Sequence, residues 1–369
     1  MSVVNDNDSS MDSKYYFDNA NIFCLEGKYE EAIVYYNKAI ELDPNYSAAH
    51  YNRGSVKVDL GEYEEAIKDY DMAIELDPNY TDAYNGRGKA KNYLGKYEDS
   101  IKDYDKTIEL NPNNIDAYNN RGSVKNVLGK YEDSIKDFNK VIELNPNDSD
   151  AYNNRGLAKG NLSLYEEAIK DYDKAIELYP NYSAAYYNRG NVKADLGEYE
   201  EAIKDYDMAI ELDHNYTYAY NNRGLAKADL GEYEEAIKDY DKAIELDSDY
   251  SDVYNNRGSV KNVLGKYEEA IKDFNKVIEL NPNDSDAYYN RGSVKDVLGK
   301  YEDSIKDYDK AIELNPNNRA FYNNRGVSKE NLEEYNEALK DYKKALELDL
   351  NYDIARENIK EIQDKYGLK

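Results

Sequence analysis

Apolar and polar positions along residues 115–148 fall into two helical stripes. Tyr131, Ser134, Ile135, Phe138, Val141 and Ile142 recur at spacings of three and four, which places them on one face of an α-helix. Glu132 and Asp133 in its first turn and Lys140 toward its end suit the helix dipole, and Pro146 stops it. Upstream, Tyr118, Gly122, Val124 and Leu128 mark a preceding helix, and Gly129 reads as its C-terminal stop. Ser47, Thr81, Ser149, Thr217 and Ser251 stand at the start of the corresponding helices and are expected to act as N-caps. No stretch shows the period-two alternation of a strand.

The same two-helix pattern returns along the chain. The pair Arg-Gly occurs nine times at a spacing of 34, from Arg53-Gly54 to Arg325-Gly326. Extension toward the N-terminus aligns Ala20 with the Gly column and Gly27, Tyr29, Ala32, Tyr36, Ala39 and Pro44 with the rest. The result is ten units: 13–46, 47–80, 81–114, 115–148, 149–182, 183–216, 217–250, 251–284, 285–318 and 319–352. The turn glycine is kept in eight units, and Ser163 and Glu333 replace it in the other two. Residues 1–12 are polar and acidic, and disorder is expected there. Residues 353–369 carry Ile354, Ala355, Ile359, Ile362 and Tyr366 at helical spacing and read as a capping helix and tail.

This pattern resembles the tetratricopeptide repeat family. The motif residues are the Tyr column (Tyr118, Tyr152, Tyr186), the Gly column (Gly122, Gly156, Gly190), then Gly129, Tyr131, the Ala column (Ala168, Ala202, Ala236), Phe138 or Tyr172, Ala175 and Pro180. The resemblance covers 13–352. It implies an all-α fold, an α-solenoid in which antiparallel helix pairs stack into a right-handed superhelix. The first helices would line an inner groove where partners bind. The fold alone does not name the function.

Composition narrows the choice. Asp plus Glu is 76 against 48 Lys plus Arg, a formal net charge of −28, which disfavours nucleic acid and anionic membranes alike. Cys24 is the single cysteine, so no intrachain disulfide or cysteine-based zinc site can form. No apolar run approaches the ~18 residues of a spanning helix. The N-terminus lacks a basic segment followed by an apolar one, so a cytoplasmic location is expected from that absence. His50 and His214 each replace another residue in a repeat column and read as drifted structural positions. No catalytic set, phosphate loop or calcium loop can be assembled, and neither an enzyme nor a cofactor is expected.

Charges occupy columns where the family more often has apolar residues. Nine units carry Arg and, one turn later, Lys on the first helix, with Asp on the second. The first unit has Asn19, Phe23 and Tyr35 instead. The joint presence and absence predicts partly buried pairs inside each unit, such as Arg53 with Asp69, Arg121 with Asp137 and Arg223 with Asp239. Lys would snorkel outward. The competing reading is a ligand-binding ladder of Arg.

The columns flanking that stripe are rich in amides. Asn120, Asn154, Asn188, Asn222, Asn256, Asn290 and Asn324 recur every 34 residues, and Tyr187 and Tyr289 stand in the adjacent column. An amide offers donors and an acceptor, so such a ladder suits an extended peptide backbone, with the Tyr rings stacking or packing on it. Equally, the amides could serve a solvated wall and share hydrogen bonds between units. The comparable positions hold Asn, Ser and Leu, with Lys89 as the lone basic residue, and do not supply the cations of a carboxylate clamp. Acidic residues on the second helices and turns form a solvated outer face or a docking surface for a basic partner. Units 47–80 and 183–216, and units 115–148 and 251–284, differ at four positions each, which points to block duplication. The expected function is a scaffold that binds a protein or peptide in the groove. The alternative is a structural protein that self-associates through its array ends or outer face.

Overall fold

The computed structural model describes residues 11–367 and divides them into two compact units, 11–181 and 182–367. In the first unit, antiparallel pairs are formed by α1 (Ser13–Leu25) and α2 (Tyr29–Leu42), α3 (Ser47–Asp59) and α4 (Tyr63–Leu76), α5 (Thr81–Tyr93) and α6 (Tyr97–Leu110), α7 (Ile115–Val127) and α8 (Tyr131–Leu144), and α9 (Ser149–Asn161) and α10 (Tyr165–Leu178). The second unit pairs α11 (Ser183–Asp195) with α12 (Tyr199–Leu212), α13 (Thr217–Asp229) with α14 (Tyr233–Leu246), α15 (Ser251–Val263) with α16 (Tyr267–Leu280), α17 (Ser285–Val297) with α18 (Tyr301–Leu314), and α19 (Arg319–Asn331) with α20 (Tyr335–Leu348). It closes with α21 (Asp353–Tyr366) packed on α20. No strand occurs among the described residues.

Each pair is closed by a buried aromatic of the second helix lying under a small residue of the first, Ala20 in repeat 1 and glycine in the other nine. A Cβ on Gly224 would stand 2.7 Å from Cε1 of Tyr240, so only glycine lets the two helices approach this closely. Small residues on both helices, such as Ala219, Ala236 and Ala243, are fully buried around this contact. The first helix then stops on a left-handed residue: Gly129 has φ of 70°, and the amide of Lys130 returns to the carbonyl of Lys125 at 2.8 Å. Ser163 and Glu333 adopt the same conformation, with φ of 58° and 63°, so the turn is kept at a steric cost where glycine is missing.

The helix starts differ from the expectation. Ser47, Thr81, Ser149, Thr217 and Ser251 are the first helical residues, not the caps. The cap is the residue before. Asn114, Asp148, Asp284 and Asn318 accept backbone N–H groups there, whereas Tyr46, Tyr80, Tyr216 and Tyr250 spend the position on aromatic packing. Of the segment expected to be disordered, residues 1–10 lie outside the described residues. Asp12 caps α1 by accepting the amide of Tyr15 at 2.8 Å. In α21, Ala355 and Ile362 are buried, while Ile354 faces solvent.

The charged columns form one repeated motif. The second-helix Asp is 3–5% exposed in all nine repeats that have it. The first-helix Arg grips it with two parallel bonds: in repeat 2, Arg53 Nε donates to Asp69 Oδ2 at 2.9 Å and Nη2 to Oδ1 at 2.5 Å. Arg121 with Asp137 and Arg223 with Asp239 repeat the geometry at 2.5–3.0 Å. Lys does not snorkel. Lys57, Lys125 and Lys227 reach the same carboxylates at 2.7–2.8 Å with side chains only 14–16% exposed, because a buried carboxylate has more than two acceptor sites to fill. The remaining Arg nitrogen leaves the repeat. Arg87 reaches Asp71, Arg121 reaches Asp105 and Arg223 reaches Asp207, each at 2.5 Å on the preceding second helix. The Arg therefore ties two repeats together, through the column two residues beyond Tyr35 and not through Tyr35 itself. In repeats 3–10 the guanidinium also lies over a Tyr one turn earlier, as Arg223 does over Tyr220 at 5.4 Å, whereas His50 takes that place in repeat 2. In repeat 1 the aromatic cluster Tyr16, Phe23 and Tyr35 fills the equivalent space.

Four outcomes follow from this packing. Ser163→Gly and Glu333→Gly each remove the left-handed penalty and raise stability by about 1 kcal/mol, read by urea unfolding. Asp239→Ala strands Arg223 and Lys227 and costs stability near the lower end of the roughly 3–5 kcal/mol of a broken buried pair, since both cations keep some water. In a double-mutant cycle Arg223→Ala and Asp239→Ala are sub-additive, and additive losses would refute the coupling. Burial alone would raise the Asp69 carboxyl, but His50, Arg53 and Lys57 hold it well below the usual carboxylate range. Its contribution is therefore present at neutral pH and lost as pH falls below the unfolded value of about 4. The stability gap between wild type and Asp69→Asn narrows below that pH.

Candidate partner-binding groove

The ion network fixes the rotation of each first helix about its axis, and that rotation decides which side chains remain for a partner. Arg, Lys, Gly and the small buried residues face the second helices. The amide columns lie to one side and meet the amides of the adjacent first helix. Asn120 Nδ2 donates to Asn85 Oδ1 at 3.4 Å, Asn256 to Asn221 at 3.0 Å and Asn290 to Asn255 at 3.1 Å. Asn358 of α21 continues the pattern onto Asn323 at 3.0 Å. Where the acceptor is Tyr, its hydroxyl takes the bond: Asn222 donates to Tyr187 Oη at 3.1 Å and Asn324 to Tyr289 Oη at 3.0 Å. A first-helix amide thus reads the residue 35 positions earlier, and sharing between repeats accounts for much of the column.

Tyr187 and Tyr289 are half-buried inside the array. Tyr187 packs on Tyr216 with ring centroids 4.9 Å apart, and Tyr289 on Phe321 at 5.0 Å. Burial pushes both phenols up, so they stay neutral at physiological pH. Their rings take part in the packing between repeats. Asn188 is half-buried on α11.

The ladder is interrupted between α7 and α9. Asn119 Oδ1 is buried and has no hydrogen-bond partner. Asn154, one repeat on, accepts from its neighbour Asn153 at 3.2 Å through Oδ1, and its backbone carbonyl accepts from Asn126 Nδ2 at 3.1 Å. At this break the first helices frame an open cleft of about 430 Å³ that holds Asn119, Asn120 and Asn154 together with Lys89, Asp116 and Asp150. Amide, cation and carboxylate groups converge there, a mixture that can accept and donate along a polypeptide backbone. In the second unit Asn191 and Asn222 line another cleft, between α11 and α13. Sequence periodicity identified Asn120 and Asn154. Asn119 belongs to the adjacent amide-rich column, but nothing in the spacing marks it as the place where the ladder breaks, and Asp116 and Asp150 carried no signal of their own.

The two histidines are structural in their contacts. His50 Nε2 lies 3.1 Å from the carbonyl of Pro44, and His214 Nδ1 lies 2.7 Å from that of Ile210. Among the described residues no group of His, Cys, Asp and Glu is placed to hold a metal ion, and no helix is long and apolar enough to cross a membrane.

Comparison with known proteins completes the assignment. The tetratricopeptide repeat model matches residues 115–148, 149–182, 217–250, 251–284, 285–318 and 320–352, which is more than half of the chain. A related TPR repeat model matches 20–61, 54–92, 90–125 and 190–231. Comparison with curated proteins finds no match. Among solved structures, the chain is similar to a tetratricopeptide repeat protein from Parabacteroides merdae, at 20% identity over 67% of this chain and 98% of that one, with a TM-score of 0.56. It is also similar to the APC/C hetero-tetramer Cut9-Hcn1, at 16% identity over 96% and 90%, with a TM-score of 0.53. At these identities the likeness is one of fold. The repeat motif, the paired helices and these matches together make the chain a member of the tetratricopeptide repeat family.

Proposed function

We propose that this array, a protein–protein interaction scaffold in general role, binds an extended polypeptide segment along its first helices and performs no catalysis. The observation that carries the reading is the unspent acceptor of Asn119 at the edge of an open polar cleft. A buried carbonyl without a partner costs roughly 1–3 kcal/mol, and a backbone N–H from a bound segment would recover it. Asn120 and Asn154 flank that acceptor, and Lys89 on one side with Asp116 and Asp150 on the other favour a polar segment over an apolar one. In the second unit, Asn222, Asn256, Asn290 and Asn324 spend a donor on the preceding first helix; Asn222 and Asn324 also accept through Oδ1 from Asn221 and Asn323, so the Oδ1 atoms of Asn256 and Asn290 are the groups offered to a partner. Tyr187 and Tyr289 contribute by holding the helices in register.

A second reading is self-association through the N-terminal end. Tyr15 and Ile22 of α1 are 40% and 51% exposed, whereas their counterparts one repeat on, Ala49 and Val56, are 0% and 4% exposed against repeat 1. Sedimentation velocity over a concentration series tests it: a species that grows with concentration and disappears with Ile22→Asp would favour this reading.

For the groove, twelve-residue peptides selected from a display library against the full chain are expected to bind wild type. They should lose at least tenfold affinity for Asn119→Ala/Asn154→Ala, with the helical circular dichroism unchanged. Selected peptides indifferent to that double substitution, or no selected peptides at all, would overturn the groove reading.

A further inference from the structure

In seven of the ten repeats the turn that ends the first helix is of one of two chemical kinds on one backbone. Repeats 2, 6 and 7 carry an acid on each side of the Leu-Gly step: Asp59 and Glu62, Asp195 and Glu198, Asp229 and Glu232. Repeats 3, 4, 8 and 9 carry an apolar residue and a lysine at the same places: Tyr93 and Lys96, Val127 and Lys130, Val263 and Lys266, Val297 and Lys300. The glycine between them is left-handed in both kinds, with φ of 77–79° in the acidic turns and 70–72° in the others, so both chemistries sit on the same type of turn. Burial does not select it either, because Tyr93, Val127, Val263 and Val297 are 54–65% exposed. The sorting is a property of the surface.

Only repeats 6 and 7 place two acids of the helix-end column on successive first helices. There Asp195 and Asp229 line one cleft of about 310 Å³ between α11 and α13, with Tyr199 and Leu225 among its walls and Asn191 and Asn222 alongside. The molecule supplies its own comparison. The cleft between α1 and α3 is lined by the residues 170 positions earlier and is of similar size, about 370 Å³, but Leu25 replaces one of the two carboxylates. Among the described residues neither Asp195 nor Asp229 takes part in a salt bridge, in contrast to the buried Asp column, where every carboxylate is held by Arg and Lys. The surroundings reinforce the pair. Repeats 6 and 7 each have a net charge of −5, against −1 for repeats 4 and 8 and 0 for repeat 3.

We propose that this cleft is a receptor for a lysine or arginine side chain of an extended partner segment. The aliphatic stem would lie along Leu225 and Tyr199, and the cationic head would stand between the carboxylates of Asp195 and Asp229. The negative field of the two repeats draws such a segment in. A second copy of this chain is a poor occupant, since it carries the same net charge of −28. The inference names the partner chemistry of the groove and rests on the reading that the first helices take a polypeptide.

The test uses the full chain and a fluorescein-labelled dodecapeptide of alternating serine and arginine, with a serine–citrulline peptide of equal length as the neutral probe. Fluorescence anisotropy at 150 mM salt is expected to show binding of the arginine peptide and at least tenfold weaker binding of the citrulline one. Asp195→Asn/Asp229→Asn should weaken the arginine peptide at least tenfold. Asn161 and Asn331 occupy the same column naturally, so this variant keeps the fold. Asp213→Asn/Asp247→Asn removes the same charge at turns where Asn145 and Asn281 stand in other repeats, and should change affinity less than twofold. Leu25→Asp should add a second binding site. Equal losses in the two double variants would mean diffuse attraction and overturn the proposal, as would wild type failing to bind the arginine peptide. Library-selected peptides that respond to Asn119→Ala/Asn154→Ala but not to Asp195→Asn/Asp229→Asn would leave the groove reading standing and the cation receptor refuted.

Discussion

A carboxylate buried between two helices must be neutralised where it stands, and that requirement organises every repeat after the first. Asp239 lies 4% exposed, so water cannot carry its charge. Arg223 and Lys227 do so from the first helix, and the spare nitrogen of Arg223 binds Asp207 on the preceding repeat. A planar guanidinium can serve both directions at once because its donors point along a fixed fork. Lysine could fill one position but not the bridge. An apolar trio would pack the same space with equal or greater stability, as Tyr16, Phe23 and Tyr35 do in repeat 1. What the charged version adds is orientation: bidentate geometry permits only one rotation of the first helix against the second.

That rotation has a direct consequence for the groove. With Arg, Lys and Gly turned inward, the neighbouring columns of Asn are turned toward the next first helix, where they bond across repeats. The regular part of the ladder is therefore structural, and the place that differs from it is the informative one. Between α7 and α9 the bond that joins residues 35 apart between α5 and α7, and from α11 to α21, is missing although both amides are present, and the acceptor of Asn119 is left unmatched beside Lys89, Asp116 and Asp150. An array of near-identical repeats makes such a departure visible, because the other copies state what an ordinary position does.

The same internal comparison separates scaffold from surface chemistry. The turn glycines hold one backbone conformation in acidic and basic repeats alike, and Ser163 and Glu333 hold it without glycine. Residues on either side of that turn are free to vary, and they vary in a sorted manner, with acids on repeats 2, 6 and 7 and lysine on repeats 3, 4, 8 and 9. A conserved frame thus carries a pattern of charge along its length, and the cleft between α11 and α13 lies where that pattern is most negative.

Periodicity alone determined the helix pairs, the turn glycines and the presence of an Arg–Lys–Asp column, because each is a local requirement restated every 34 residues. Arg53 and Asp69, Arg121 and Asp137, and Arg223 and Asp239 were legible as partners since they arrive together and are absent together. The tertiary structure decided what depends on distances between chain-remote atoms. It turned Lys57 inward onto Asp69, sent the third arm of Arg87, Arg121 and Arg223 to a residue outside the repeat, and packed Tyr187 and Tyr289 against the next repeat. It moved the capping role from Ser and Thr to the residue before them. It also broke the amide ladder at Asn119 and brought Asp195 beside Asp229 in one cleft. A sequence repeat records which residues recur; which of their polar atoms are already spent is settled only when the neighbouring helix is in place.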